Sequence, residues 1–192
     1  MEEPGFSVAI LGHRPNRLPA RAIAAVTADM ELSLRAIASV CPDERSWAIS
    51  SLAEGADRIG AVAALAAGYR LKVILPFSSH EYERDFPNSR KCFAKLLASA
   101  DMVTELPGSR LDPNAAYEAA GQAILAIVNI VIAVWDGGPS QGRGGTTETI
   151  EAAIAHDLPV LWLDATGRRK PALRHEGTIT DSLRTAIKGA IS

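Results

Sequence analysis

The residues best equipped for chemistry lie between 130 and 155, in the stretch IVIAVWDGGPSQGRGGTTETIEAAIA. Six apolar residues are followed by a loop rich in glycine: Gly137, Gly138, Gly142, Gly144 and Gly145. Thr146, Thr147 and Glu148 then open a stretch that carries Ile150, Ala153 and Ile154 at helical spacing. A buried strand, a glycine-rich loop and a helix start suit an anion. Glycine lets the backbone approach a phosphate, and the free N–H groups of a helix's first turn point at it. The hydroxyls of Thr146 and Thr147 would add donors, and Trp135 could flank a base. The carboxylates of Asp136 and Glu148 could accept from ribose hydroxyls. A flexible connector is the competing reading of the same glycines. The spacing fits neither a Walker A loop nor GxGxxG, and no lysine follows.

Two earlier turns have the same character. An apolar run at 6–11 ends in Gly12-His13-Arg14-Pro15-Asn16-Arg17, where the planar fork of Arg14 suits a phosphate or carboxylate. A second run at 47–52 ends in Ala53-Glu54-Gly55-Ala56-Asp57. Gly55 there suits a tight turn near a ligand or a neighbouring backbone, and Asp57 is placed to cap the helix that follows. Ligands of open parallel sheets bind at the carboxyl edge, where strand order reverses. Residues 78–88, with His80, Glu81, Glu83, Arg84 and Asp85, read either as a lid over that edge or as a solvated helical turn.

The elements that must position these turns alternate along the chain. Strands are expected at 6–11, 47–52, 71–77, 102–106, 130–135 and 159–163. The first helix carries Ile23, Val26, Met30, Leu34 and Ile37 and ends at Pro42; the second carries Ile59, Val62, Ala63 and Ala66 and ends at Gly68. A third is expected at 91–100. Asp112-Pro113 opens a fourth, with Tyr117, Ala120, Ile124, Ile127 and Val128 as its buried stripe. After the helix at 146–155, Thr180-Asp181 caps a last one bearing Leu183, Ile187 and Ile191. Strand alternating with helix specifies an α/β fold: a doubly wound, mainly parallel sheet with helices on both faces. Residues 1–165 are expected to form the binding domain, with the basic loop of Arg168, Arg169, Lys170, Arg174 and His175 and the final helix (166–192) packed on it.

Composition bounds the function. With 192 residues, 47% hydrophobic and 22% charged, the chain suits one soluble globular domain. A net charge of −2 speaks against a general nucleic-acid binder. Cys41 and Cys92 form neither a CxxC pair nor a metal-ligand cluster, so reduced thiols in a cytoplasmic protein are expected and no metal site is. The acidic N-terminus carries no secretory signal, and no run reads as a membrane span.

Three stretches together resemble the SLOG superfamily, which joins the DNA-processing protein A and Lonely Guy folds. Gly12-His13-Arg14-Pro15 resembles its GHRP or GSR turn, and residues 51–58, SLAEGADR, resemble its GLAxGID or GGAxGAD turn. Gly144-Gly145-Thr146 resembles its GGT signature. The resemblance covers about residues 5–165 and implies a Rossmann-like domain that binds a nucleotide or nucleotide-derived ligand. The Lonely Guy enzymes are phosphoribohydrolases with PGGxGTxxE and an upstream Arg-Lys pair. Here Thr149 stands where their Glu belongs, Glu148 lies one residue early, and Ala120 and Gly121 stand at the Arg-Lys pair.

The expectation is a cytoplasmic homodimeric domain that binds or senses a nucleotide, with no cofactor required and neither nucleic acid nor membrane as partner. The ligand would meet Gly12, His13, Arg14, Glu54, Gly55, Asp57, Trp135, Asp136, Gly137, Gly142, Gly144, Gly145, Thr146, Thr147 and Glu148. The alternative is a phosphoribohydrolase or N-glycosidic hydrolase using Glu148 or Asp136, with Glu54 or Glu83 as acid partner, by analogy with glycoside hydrolysis. An interaction scaffold with a vestigial pocket is a third reading.

Overall fold

The computed structural model describes residues 5–41, 46–139 and 144–191. The expected helix stop at Pro42 and the loop glycine Gly142 lie outside the described residues. The strands are β1 (Ser7–Gly12), β2 (Trp47–Ser50), β3 (Arg70–Leu75), β4 (Met102–Glu105), β5 (Ile130–Trp135), β6 (Val160–Asp164) and β7 (Ala172–His175). They form one sheet in the order β4-β3-β2-β1-β5-β6-β7. Every pairing from β4 to β6 is parallel, and β7 alone runs antiparallel, against β6. The chain winds outward from β1 to β4, then returns to place β5 on the other side of β1. The crevice between the ends of β1 and β5 is therefore the point where strand order reverses.

Side chains alternate across the sheet, and both faces are covered. On β1, Val8 and Ile10 enter the core under α1 (Ile23–Val40), α2 (Ala56–Ala66) and α7 (Asp181–Ile191), while Ala9 and Leu11 enter a second core. Two short elements on the first face follow β3: α3 (Ser79–Tyr82) and α4 (Arg90–Ala98). The second core is closed by α5 (Pro113–Leu125) and α6 (Thr146–Ala155). Met30, Leu34 and Ile37 of α1 are wholly buried, each worth roughly 1.5–3 kcal/mol of transfer free energy. The doubly wound α/β architecture is the expected one.

Several expected details differ. Residues 172–175 form β7 rather than part of a loop: the segment supplies an edge partner to β6. In α2 the buried face is Ala56, Gly60, Ala61, Ala63 and Ala64, and Val62 is 56% exposed. The cause is close approach to the sheet. A Cβ on Gly60 would lie 2.2 Å from Ile10 Cγ2, so the smallest residues face inward and the branched one is turned out. Ile127 is exposed because α5 has already ended at Leu125, and Ile23 and Ile154 are exposed at the ends of their helices. Among the described residues no helix is long and apolar enough to cross a membrane.

Candidate functional site

Three turns meet at the carboxyl edge. The first leaves β1 at Gly12, whose tight surroundings admit no side chain: a Cβ there would be 2.6 Å from Ala56 Cβ and 2.7 Å from Val134 Cβ. His13 N–H donates to Val134 O (3.0 Å) and His13 O accepts from Ala56 N–H (3.1 Å), fastening this turn to β5 on one side and α2 on the other. The second turn is strained where it fits against the first. Leu52 has φ 56 and Gly55 φ 104, and a Cβ on Gly55 would lie 2.5 Å from His13 O. Arg58 Nε donates to Leu52 O (2.9 Å) and holds that strained residue in place.

Asp57 joins the first two turns. Its Oδ1 accepts from Gly12 N–H (3.1 Å) and its Oδ2 from Ser50 Oγ–H (3.1 Å) and Ala53 N–H (3.4 Å). The expected helix-cap role is therefore replaced by a cross-link between turns; Gly55, the N-cap residue, makes no side-chain cap bond. Burial raises the Asp57 carboxyl to about 6, against the opposing pull of its hydrogen-bond donors and of the Arg14 charge.

Asp136 joins the first and third turns. Arg17 grips it bidentately, Nε to Oδ2 at 2.9 Å and Nη2 to Oδ1 at 2.6 Å, and Gly138 N–H donates to Oδ1 at 2.8 Å. His13 Nε2 lies 3.0 Å from Oδ1, at ion-pair distance but without hydrogen-bond alignment. Burial opposes ionisation of Asp136, yet Gly138, His13 and Arg17 outweigh it and hold the carboxyl at about 2. Burial, the largest cause, shifts His13 itself down, against the raising effect of its Asp136 neighbour.

These turns enclose a cavity of about 380 Å³. It is lined by Gly12, Ser51, Ala53 and Asp57, by His13, Arg14 and Arg17 of the first turn, and by Gly144, Gly145, Thr146 and Thr147 at the start of α6. Tyr117, Ala120 and Gly121 of α5 and Tyr82 from the segment after β3 close it. Gly144 (φ 76) packs so closely on α5 that a Cβ would come within 2.8 Å of Tyr117 Cβ. Of the two hydroxyls expected to face an anion, Thr147 Oγ1 donates to Gly138 O (3.3 Å) and serves the loop; Thr146 lines the cavity.

Asp136 and several other expected site residues are not among those lining the cavity. Gly55 stands behind it, packed on His13 and Arg14, and Glu54 and Gly137 do not line it. Trp135 does not flank it either: its indole N–H donates to Gly138 O (2.9 Å) and its ring packs on the core under α5 and α6. Glu148 turns back to accept from Gly144 N–H (2.6 Å) and lines a smaller neighbouring cavity between α5 and α6. Arg14 does line the main cavity, but its guanidinium is directed to Asp85 (3.7 Å) and the Tyr117 ring (5.5 Å) rather than to Thr146. No group of three or more potential metal-ligating side chains occurs among the described residues.

Sequence reading missed four participants. Arg17 lies 119 positions from Asp136, and only its place in the GHRPNR loop hinted at a role. Tyr82 sat unremarked in the polar 78–88 segment. Arg110 gave no signal at all, and it grips Asp85 (2.6 Å). Asp164, wholly buried at the end of β6, accepts from Thr166, from Arg168 N–H and from Arg169, and so sets the basic segment beside the loop after β5. Burial opposes its ionisation, but Arg169 and Thr166 hold it at about 2.

Neither family models nor curated protein sequences match this chain. Solved structures do. DNA processing protein A from Streptococcus pneumoniae superposes with a TM-score of 0.57 at 18% identity, covering 97% of this chain and 56% of that one. The chain thus spans little more than half the length of that protein. DNA processing protein A from Helicobacter pylori, in a structure described for its single-stranded DNA binding mode, gives 0.55 at 16% identity over 99% of this chain and 75% of that one. A structural-genomics target, TM1055, gives 0.52 at 13% identity over 81% of this chain and 72% of that one. At these identities the likeness is one of fold, and the fold of this chain is the Rossmann-like α/β sheet of DNA processing protein A, as the resemblance to the SLOG superfamily implies.

Proposed function

We propose that the chain is a binding domain for a nucleotide or ribose-phosphate ligand, with the phosphate at the start of α6. The observation that carries this reading is convergence. Arg14, Ala53 and Thr146, from three turns far apart in sequence, line one cavity at the point where strand order reverses. Orphan N–H groups of the first turn of α6 and the cations Arg14 and Arg17 favour a negatively charged guest. The hydrolase reading has less support, since Asp136 is occupied by Arg17 and Glu148 by Gly144 N–H. Single-stranded nucleic acid is a further candidate guest, favoured by the basic segment that carries Arg168, Arg169 and Arg174, of which Arg169 reaches Asp136 O after β5 and Arg174 lies over the Trp162 ring. A homodimer and a cytoplasmic location belong to the proposal too, the first checked by light scattering.

The test is thermal unfolding of the chain with nucleoside monophosphates, NAD, ADP-ribose and a short oligothymidylate, following base release in parallel. Stabilisation by a mononucleotide without turnover is expected, because a ligand that binds only the native state raises its midpoint. Thr146→Glu, which sets a carboxylate at the α6 start, should abolish that shift. Base release lost in Glu148→Gln would establish the hydrolase instead, and a shift with the oligonucleotide alone would replace the mononucleotide.

A further inference from the structure

The segment between β3 and α4 closes one end of the cavity, and its closure is electrostatic. Ser78 accepts from Glu81 N–H and starts α3. Tyr82 and Phe86 are each 1% exposed and pack in a cluster of rings with Phe77, Phe93 and Tyr117, which anchors the segment at two points. Between those anchors lies Asp85, on a single 3-10 turn (Glu83–Asp85). Its carboxylate accepts from Arg110 Nη1 at 2.6 Å and from the Tyr117 hydroxyl, and Arg14 Nη2 stands 3.7 Å away. Arg110 also donates to Glu81 O and so clamps the turn from beneath.

Resting on the nucleotide reading above, we propose that Asp85 is an internal anion occupying Arg14, which a phosphate-bearing ligand must displace. The Arg14 contact is the longest of the three and uses one guanidinium nitrogen, so it is the one a ligand can break. Arg110 and Tyr117 then keep Asp85 satisfied. Asp85 is thereby a specificity-determining residue. A neutral ligand has nothing with which to compete for Arg14, while a phosphate, with more charge than a carboxylate and a geometry matched to the guanidinium fork, does. With Asp85 held by Arg110 and Tyr117 and the flanking rings packed, Arg14 is the group that swings away, and its departure loosens the small turn 83–85.

The test compares wild type with Asp85→Asn, which keeps the shape and removes the charge. AMP should bind Asp85→Asn roughly 5- to 20-fold more tightly, the lower part of the range of ordinary coupling free energies, and adenosine should bind the two proteins alike. A merely structural role for Asp85 would move both ligands together. A second readout needs only the native chain: tryptic cleavage after Arg84, on the same turn, should accelerate when AMP is added and stay unchanged with adenosine. AMP affinity and Arg84 cleavage both indifferent to the charge at Asp85 and to AMP would overturn the gate while leaving the nucleotide reading intact. Failure of AMP to bind either protein would overturn the nucleotide reading itself.

Discussion

Two carboxylates fasten the first turn to its neighbours, and they do so in opposite ways. Asp57 ties it to the β2–α2 turn, is 6% exposed, and is hydrogen-bonded by neutral donors from Gly12, Ser50 and Ala53, with the Arg14 charge acting only through space. Asp136 ties it to the β5–α6 loop, keeps a quarter of its side-chain surface in solvent, and faces a bidentate arginine. One is pushed up to about 6 and the other held at about 2. Burial opposes charge in both. What decides the sign is whether a positive charge is bonded directly to the carboxylate: Arg17 grips Asp136, whereas Arg14 acts on Asp57 only through space, and its pull together with that of the neutral dipoles falls short of desolvation. The same edge thus has one joint that is neutral in acid and one that requires its charge.

The largest effect should come from breaking the Asp57 side sterically. Gly55→Val forces a β-branched residue to φ 104 with its Cβ 2.5 Å from His13 O, a backbone atom that cannot swing aside. Combining the strain of such a conformation with overpacking gives a loss of roughly 3–5 kcal/mol, read as a fall in the urea midpoint. Retention of the wild-type midpoint would mean that the two turns do not interlock. Gly138→Ala on the Asp136 side provides the contrast, because its Cβ would meet side-chain ends, Arg17 Nη2 at 2.8 Å and Asp136 Oδ1 at 3.1 Å, rather than backbone, and its loss should be smaller.

The next test uses pH. Asp57 rises from its ordinary 3.8 to about 6 on folding, so the native state binds its proton more tightly than the unfolded chain does. Its contribution to stability is complete below pH 3.8 and disappears as pH rises through 6, by roughly 3 kcal/mol for a shift of this size. Asp57→Asn has no such proton. The unfolding free energy of wild type minus that of the variant should therefore fall between pH 4 and pH 7. A flat difference would show that Asp57 remains charged throughout.

How much of this could be seen beforehand depended on the kind of information involved. Strands β1 and β5 were legible because each is a continuous apolar run, as burial on both faces demands. The three turns were legible because glycine at 12, 55 and 144 answers to close approach or positive φ, which is local. Helix faces were read less well. In α2 Ala63 is buried and Ile59 packs on the core as expected, but Val62 and Ala66 are exposed, because contact distance, not apolarity, selected Gly60 and the alanines. β7 was missed since ALRH has an edge strand's half-buried pattern within a basic run. The joints themselves were invisible. Nothing in sequence spacing says that Arg17 reaches Asp136, that Arg110 reaches Asp85, or that Glu148 turns away from the cavity.

The smallest expected effect completes the contrast and has the opposite slope. Asp136 falls from 3.8 to about 2 on folding, so its contribution is present above pH 3.8 and is lost as pH falls through 2. The full shift would correspond to somewhat over 2 kcal/mol, but a partly solvated pair is screened, and about 1–2 kcal/mol is the realistic size. Asp136→Asn should thus be less stable than wild type by that amount at pH 7 and equal to it near pH 2. In 1 M salt the deficit should shrink only slightly, because the Arg17 contact is short, bidentate and mostly sheltered. If instead salt erased the deficit, the Arg17–Asp136 joint would be a surface pair of little consequence, and the first turn would owe its position to Asp57, Gly55 and the His13–Val134 backbone bond.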